Sequence, residues 1–171
     1  AVAAIALADL LSIPVKTTAG ALLAYAGTDR RFEYKGEVNG ITVIDDYAHH
    51  PTEITATLLA ARELAHKTTW CVFQPHTYTR TKAFLNDFAK ALSLADEIVL
   101  ADIYAAREKD TLGISSRTLQ AEIEKLGHRC HYFPTFSQIE AFLLENCTKG
   151  DLLITMGAGD VVKIGDDLLQ K

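Results

Sequence analysis

Short, almost wholly apolar runs alternate along this chain with longer segments whose apolar residues recur every three or four positions. The short runs are typical of buried strands, and the longer segments have the period of helices that pack by one face. Alternation of the two predicts βαβ units, with helices on both faces of a mostly parallel sheet. We therefore predict an α/β fold, a Rossmann-like three-layer sandwich with a sheet of about six strands.

The same pattern predicts the individual elements. The stretch "RRFEYKGEVNGITVIDD" predicts an N-terminal β-hairpin that turns at Asn39-Gly40, a dipeptide typical of tight hairpins. Further strands are predicted at "TWCVFQ", "EIVLAD", "CHYFP" and "DLLITM". Helices are predicted at 1–11, 15–27, 51–65, 79–94, 115–126, 136–145 and 160–169. The residues expected to face inward in two of these helices are Ile54, Leu58, Ala61 and Leu64, and Phe84, Leu85, Phe88 and Leu92.

The beginning of the chain differs from the rest. It opens with "AVAAIALADLLSIP", a helical pattern already under way, without an initiator methionine or a capping residue. This opening predicts either a piece cut from a longer protein or a chain that lacks its first residues. We therefore divide the sequence into a helical leader at 1–27 and an α/β domain at 28–171.

Composition narrows the class of protein and its partners. The chain is 49% apolar and 23% charged, which is typical of globular proteins, and its net charge of −5 does not favour nucleic acid. No apolar run approaches the roughly 20 residues that cross a bilayer, and no signal-peptide pattern is present. Cys71, Cys130 and Cys147 show no C-x-x-C spacing. We expect reduced, buried thiols of a cytosolic protein, with no membrane attachment.

Polar residues gather where four predicted strands end. In chain order the carboxyl ends carry "DDYAHHP", "QPHTYTR", "ADIYAAREK" and "GAGD", whereas the opposite edge carries ordinary turns. Ligands of open α/β sheets bind outside the carboxyl ends of the strands. The sequence therefore predicts a single ligand site at this edge.

The loop "DDYAHHP" leads into a helix. Pro51 suits the first helical position, which puts His50 near the N-cap and His49 just outside the helix. The positive end of the helix dipole disfavours imidazolium, so at least one of these histidines is expected to be neutral near pH 7. Asp45 and Asp46 end a strand, so one is expected to face the cleft and the other the interior. Alternatives are acids that cap the loop beside solvated histidines, and a metal site completed by other loops.

The loop "QPHTYTR" carries His76 after a proline, with Arg80 and Lys82 in the first turn of the next helix. Cations there are disfavoured by about 0.3–1 kcal/mol. A carboxylate or phosphate held between the helix start and Arg80 would compensate. The alternative is an arginine that extends into water.

The remaining charged and glycine-rich segments are less specific. "YAAREKD" is interpreted as a solvated charge run, and "GAGD" as a loop that allows close approach of a ligand or a neighbouring domain. No G-x-x-x-x-G-K-[ST] phosphate loop occurs. Of Arg30 and Arg31, one is expected to be structural and the other to contact a phosphate.

Five motifs in this order resemble the C-terminal domain of the Mur ligase family: "RRFE", "DDYAHHPTE", "FQPHTYTRTK", "DIYAAREK" and "ITMGAGD". The resemblance covers about residue 29 to the end, and the leader resembles the last two helices of the family's central ATPase domain. The motifs are most similar to the branch that adds L-alanine to UDP-N-acetylmuramate in bacterial peptidoglycan synthesis, a cytoplasmic reaction. The resemblance implies that ATP phosphorylates the muramate carboxylate, that the amine of L-alanine attacks the acyl phosphate, and that Mg²⁺ bridges phosphates.

The resemblance also implies roles for individual residues. His49, His76 and Arg80 are the implied catalytic residues: Arg80 beside His76 would hold the L-alanine carboxylate, and His49 would orient or deprotonate the amine. The other implied contacts are Tyr47 at the methyl group, Gly157, Ala158 and Gly159 at the substrate, Arg31 at the nucleotide phosphate and Asp46 at the ribose. Several family members carry a basic residue at the position of Thr77, so carboxylate recognition here depends more on Arg80.

Part of the implied enzyme is absent from the sequence. ATP and Mg²⁺ would be bound mainly by the family's central domain, which, like the UDP-binding N-terminal domain, would be a partner of this one. We expect this chain alone to bind ATP weakly and to form no acyl phosphate. The alternatives are a ligase that recycles a tripeptide onto UDP-N-acetylmuramate, a non-catalytic Rossmann-like binding module, and a metal hydrolase built on "DDYAHH".

Overall fold

The structure is a computed structural model that describes residues 1–25 and 27–171. The strands are β1 (Glu33–Val38), β2 (Ile41–Asp46), β3 (Thr69–Phe73), β4 (Glu97–Leu100), β5 (Cys130–Tyr132) and β6 (Leu152–Met156). The helices are α1 (Val2–Leu10), α2 (Val15–Ala24), α3 (Pro51–Ala61), α4 (Tyr78–Ala83), α5 (Leu85–Leu92), α6 (Ser116–Lys125), α7 (Phe136–Asn146) and α8 (Val162–Leu168). The predicted α/β fold is confirmed.

All of these strands join one sheet in the order β1-β2-β6-β3-β4-β5. β1 runs antiparallel to β2, and every other neighbouring pair is parallel. The predicted hairpin is confirmed: it turns at Asn39 and Gly40, which have φ values of 53° and 75°. Both values lie in the left-handed region that this dipeptide tolerates better than most others.

Apolar side chains cover the sheet on both faces. On one face α3, α5 and α6 contribute Leu58, Phe88 and Leu119 to a fully buried cluster. On the other face α7 and α8 contribute Ile139 and Ile164 to a second cluster. The three layers of the predicted sandwich follow from these two cores.

The cysteines lie within or beside these cores. Cys71 and Cys130 are buried and Cys147 is half-buried, and all three are free thiols. Burial raises the pKa of each thiol to about 12. Cys147 is therefore less enclosed than predicted, but none of the three is poised to react as a thiolate near neutral pH.

Three predicted helices differ from the observed ones. α3 ends at Ala61, so Leu64 is 42% exposed and its predicted inward position is wrong. The helix predicted at 79–94 is two helices that meet at Phe84, whose φ of −111° leaves the helical region while its ring packs 4.9 Å from that of His50. α2 ends at Ala24 and is followed by extended backbone at Tyr25. Its predicted continuation to Gly27 includes Ala26, which lies outside the described residues.

The helical leader contributes little to the core. Ala8 is the buried residue of α1, and α2 has none, whereas Val2, Leu10, Val15 and Leu23 are at least 82% exposed. Among the described residues no helix has the length and apolarity needed to cross a membrane.

Candidate functional site

The strand order brings the polar loops together. β2, β6 and β3 are neighbours in the sheet and β4 lies beside β3, so the loops at their carboxyl ends form one continuous edge. The β3 and β4 loops are joined further by backbone hydrogen bonds. Thr77 N–H donates to the Tyr104 carbonyl at 2.9 Å, and Tyr104 N–H donates to the Pro75 carbonyl at 2.8 Å.

Four rings form a row across three of these loops, and we call Tyr47, His49, His76 and Tyr104 the ring row. Neighbouring ring centroids are 5.5 Å apart for Tyr47 and His49, and 5.9 Å apart for His49 and His76. His76 stacks on Tyr104 with centroids 5.6 Å apart and an interplanar angle of 20°. The structure therefore places His49 and His76, which belong to different segments, side by side.

The backbone selects the tautomer of His49. Its Nδ1 lies 2.9 Å from the Tyr47 carbonyl, and a carbonyl can only accept a hydrogen bond. The proton of neutral His49 is therefore on Nδ1, which leaves Nε2 with a lone pair. A neutral imidazole held in this way can accept a proton from a substrate.

His50 differs from His49 because it is the N-cap residue of α3. Its Nδ1 accepts a hydrogen bond from Thr52 N–H at 3.3 Å, and Glu53 accepts from the N–H groups of His49 and His50 at 3.0 and 3.2 Å. This reciprocal arrangement is a capping box, with histidine at the N-cap as the sequence predicts. Burial would raise the pKa of Glu53, but the hydrogen bonds from His49 and His50 and the charge of His49 lower it overall.

His76 and Arg80 each contain an unsatisfied buried nitrogen. His76 Nδ1 and Arg80 Nη1 find no hydrogen-bond partner within residues 1–25 and 27–171. Burial lowers the pKa of His76, and the charges of Arg80 and His49 lower it further against an opposing effect of Glu108. Unsatisfied groups of this kind cost about 1–3 kcal/mol each. They are the groups that a polar ligand would satisfy.

The start of α4 is capped by the protein itself. Glu108 accepts hydrogen bonds from Thr79 N–H at 3.0 Å and from the Thr79 hydroxyl, which together lower the pKa of its carboxyl group. One anion at this helix start is therefore a side chain of the β4 loop, and a ligand anion held by Arg80 stays a prediction. Glu108 departs from the interpretation of "YAAREKD" as a solvated charge run, because the β4 loop reaches across to α4 and this carboxylate binds Thr79 there.

The two aspartates that end β2 are both interior. Asp45 is 0% and Asp46 is 6% exposed, so the expectation that one of them faces a cleft is wrong. The Asp46 carboxylate accepts hydrogen bonds from Phe32 N–H, Ala48 N–H and the Thr57 hydroxyl at 2.9, 2.8 and 3.1 Å. Its contact with a ribose stays a prediction, and the observed bonds show that it also shapes the loop.

Arg30 is structural, as expected of one of the two arginines, and the phosphate contact of Arg31 stays a prediction. Arg30 Nε donates to Asp45 at 2.8 Å, while its two terminal nitrogens donate to the carbonyls of Gly159 and Gly157 at 3.0 and 2.7 Å. Arg31 is exposed, and its guanidinium carbon lies 5.6 Å from the centroid of the Tyr47 ring.

We call residues 157–160 the glycine loop. Its two glycines are needed because the loop packs closely against other loops of the protein. A Cβ on Gly159 would lie 2.3 Å from Gln74 Oε1 and 2.9 Å from Tyr104 Cγ, and one on Gly157 would lie 2.7 Å from the Gln74 carbonyl. Gln74 Oε1 is itself buried without a partner among the described residues. Sequence reasoning assigned no role to Gln74 or Tyr104, although both lie in loops that it had singled out.

The described residues do not fit a resident metal ion. They contain no group of three or more histidine, cysteine, aspartate or glutamate side chains that could hold one. No step of a reaction is therefore assigned to a cation held by this chain.

Comparison with known proteins gives a consistent picture. Residues 30–159 match the family described as Mur ligase, glutamate ligase domain. A curated UDP-N-acetylmuramate–L-alanine ligase from Lachnoclostridium phytofermentans is 63% identical over 169 residues, which are 99% of this chain and 36% of that protein. This chain thus spans little more than a third of the length of that relative.

Two solved structures are similar in fold and, more distantly, in sequence. A UDP-N-acetylmuramate–alanine ligase from Thermotoga maritima has a TM-score of 0.81 and 28% identity, and the match covers 97% of this chain and 35% of that one. A murein peptide ligase from Psychrobacter arcticus has a TM-score of 0.69 and 28% identity, with 95% and 34% of the two chains covered.

Proposed function

Because this chain belongs to the Mur ligase family by its glutamate ligase domain, we propose that it is the amino-acid-binding, C-terminal domain of an ATP-dependent ligase. The ligase adds L-alanine to UDP-N-acetylmuramate through an acyl phosphate, in the peptidoglycan precursor synthesis of a bacterial cytoplasm. The 63% identity with a UDP-N-acetylmuramate–L-alanine ligase supports this choice of substrates.

The observation that carries the proposal is the pair of unsatisfied nitrogens on His76, a member of the ring row, and on Arg80. L-alanine brings a carboxylate, which accepts hydrogen bonds, and an ammonium group, which must lose a proton before it attacks. Arg80 Nη1 is a buried donor without a partner among the described residues, and His76 Nδ1 is unsatisfied in the same sense. The charge of Arg80 is close enough to lower the pKa of His76. The carboxylate binds Arg80 and His76, and the amine reaches the lone pair on His49 Nε2.

The other residues complete the same site. Tyr47 lines the pocket for the methyl group, and Gly157, Ala158 and Gly159 face the substrate. Arg31 and Asp46 contact the phosphate and ribose of ATP. ATP and Mg²⁺ are held mainly by the central domain of the full-length ligase, so the 171-residue chain alone forms no acyl phosphate. The leader at 1–27 is the helical tail end of that central domain, which covers its exposed apolar side chains.

Arg80→Ala in the full-length ligase tests the assignment. Loss of a charge-assisted hydrogen bond of about 1.5–3 kcal/mol is expected to raise the KM for L-alanine at least tenfold, while the KM for ATP changes less than twofold. Steady-state kinetics with each substrate varied in turn measures both. Arg107→Ala, an exposed arginine in the next loop, is the matched control and leaves both constants unchanged. An equal rise in the two KM values would contradict the assignment, because it would indicate damage to the fold or the nucleotide site.

A second candidate is a ligase that joins a tripeptide to UDP-N-acetylmuramate. The fold similarity to a murein peptide ligase favours it, although the 28% identity is far below that shared with the L-alanine ligase. Turnover of L-alanine against tripeptide by the full-length protein separates the two. A non-catalytic binding module would instead bind ATP tightly with these 171 residues alone, which isothermal titration calorimetry would detect.

A further inference from the structure

Arg30 lies near the N-terminal end of the α/β domain and contacts two parts of the candidate site, the glycine loop and Tyr47. We propose that Arg30 is a positioning residue, which holds the glycine loop and Tyr47 in the arrangement that binds the amino acid. The inference rests on the proposed function, in which both parts contact L-alanine. It assigns to Arg30 itself no contact with substrate.

The side chain of Arg30 makes a separate hydrogen bond from each of its three nitrogens. Nε donates to Asp45, which is 0% exposed, and the terminal nitrogens donate to the carbonyls of Gly157 and Gly159. A planar guanidinium can make these bonds together, whereas the single ammonium of lysine cannot. The second oxygen of Asp45 accepts from the Thr155 hydroxyl at 2.7 Å, so the anchor of Arg30 is itself fixed to β6.

The backbone of Arg30 is also held in place. Its φ of 56° lies in the left-handed region, which is unfavourable for arginine and persists only where neighbouring contacts impose it. Those contacts are an N–H donated to Glu33 at 2.7 Å and a carbonyl that accepts from Tyr47 N–H at 2.7 Å. The guanidinium carbon lies 4.9 Å from the centroid of the Tyr47 ring. Arg30 therefore touches Tyr47 through both its backbone and its charge.

Arg30 binds the carbonyls of Gly157 and Gly159, and these bonds fix the direction of the N–H groups in the same peptide units. The described peptide bonds are all trans, and in a trans peptide the N–H points opposite to the carbonyl of the same unit. The carbonyls of Gly157 and Gly159 point at Arg30, so the N–H groups of Ala158 and Asp160 point away from it. Arg30 thereby sets the direction of two backbone donors in the loop proposed to face the substrate.

The first experiment measures the loop directly, in the 171-residue chain and without any assay of activity. In Arg30→Lys the ¹⁵N order parameters of Ala158 and Gly159 are expected to fall from about 0.85 to below about 0.6, because two loop carbonyls lose their donors. Hydrogen exchange at Gly157 N–H, which donates to the Asp46 carbonyl, is expected to accelerate at least tenfold. Exchange at Gln74 N–H, which donates to the Met156 carbonyl, is expected to stay unchanged.

Asp45→Asn is the matched variant. It removes the charge partner of Arg30 but leaves both carbonyl bonds, so the glycine loop is expected to keep its order parameters. Equal loosening in Asp45→Asn and Arg30→Lys would overturn the proposal, because the ion pair and not the carbonyl contacts would then hold the loop. Faster exchange at Gln74 as well as Gly157 in Arg30→Lys would also overturn it, by showing a general loss of stability.

The second experiment uses the full-length ligase. Arg30→Lys is expected to raise the KM for L-alanine at least tenfold and to change the KM for ATP less than twofold. Arg31→Ala is expected to show the reverse pattern. Arg62→Ala, which removes an exposed guanidinium bonded to the Leu94 carbonyl, leaves both values unchanged.

The two experiments separate the inference from the function on which it rests. A wild-type ligase that does not turn over L-alanine would overturn the proposed function, and the substrate role of Arg30 with it. A glycine loop that stays ordered in Arg30→Lys would overturn the positioning role alone. A loosened loop with an unchanged KM for L-alanine would show that Arg30 serves only the fold.

Discussion

His76 links the electrostatics of the site to its chemistry. Burial and the charges of Arg80 and His49 lower its pKa, so the folded state favours the neutral ring. The unfolded chain binds the extra proton first, between the usual value of 6.5 and the lower folded value. The contribution of this residue to stability is therefore complete above pH 6.5 and falls as the pH drops through that window.

Two substitutions should move the pKa of His76 in opposite directions. Arg80→Gln removes a charge that lowers it, so the pKa is expected to rise, and Glu108→Gln removes a charge that raises it, so the pKa is expected to fall. NMR titration of the ring signals measures both shifts, with the His76 signal identified by its loss in His76→Gln. Unchanged titration in Arg80→Gln would show that the guanidinium lies too far away to affect the ring.

Some residues of the site could be predicted from the sequence, and others could not. His49 and His76 stood out because they lie just after predicted strands, and Arg80 because it is a cation in the first turn of a predicted helix. The roles of Gln74, Tyr104 and Glu108 depend on contacts between loops that are far apart in the sequence. Pattern and propensity carry no information about such contacts, so these roles emerged only from the structure.

Among the helices, α3 connects secondary structure most directly with the site. Its capping box fixes the backbone of His49 and His50 and so sets where the ring row begins. The carboxylate of Glu53 accepts both N–H groups, and the depressed pKa of this group means that the ionised form favours the folded state. Its contribution is present above the unfolded value of 4.5 and is lost as the pH falls through the lower folded value.

Glu53 variants test this link. Glu53→Ala is expected to lower the free energy of unfolding at pH 7 by about 0.5–1.5 kcal/mol, the usual net contribution of a hydrogen bond, and Glu53→Gln by less because it retains an acceptor. The difference in stability between pH 7 and pH 4 should also shrink in Glu53→Gln. Urea unfolding at the two pH values measures these effects. Glu63→Gln, at an exposed site beyond the end of α3, serves as the control; an equal loss of pH dependence there would contradict the capping role.

The elements themselves were predictable wherever one local signal decided them. Asn39-Gly40 determined the hairpin, and Pro51 determined the start of α3. Phe84 breaks the helix predicted at 79–94 although the apolar period continues through it. Its ring packs against His50 of another segment, which is a tertiary contact that overrides the local helical preference.

For the molecule as a whole, the leader and the α/β domain differ in how well they bury their apolar side chains. Removal of residues 1–27 is expected to shift the midpoint of thermal unfolding by less than about 4 °C, the effect of ~1 kcal/mol in a domain of this size. It should also reduce self-association, because it removes Val2, Leu10, Val15 and Leu23 from the surface. Calorimetry and sedimentation velocity measure the two effects. A truncated chain that fails to fold would show that the leader belongs to the domain.

The position of β6 in the sheet also determines how late in synthesis on the ribosome the sheet can be completed. It is the last strand along the described chain, yet it lies between β2 and β3 and hydrogen-bonds to both. Until Leu152–Met156 leaves the exit tunnel, those two strands have an unfilled gap between them, and the nascent polypeptide exposes two unpaired edges. The histidine loops and the glycine loop therefore meet only when translation of this domain is nearly complete, so a stalled or prematurely terminated product has no assembled pocket.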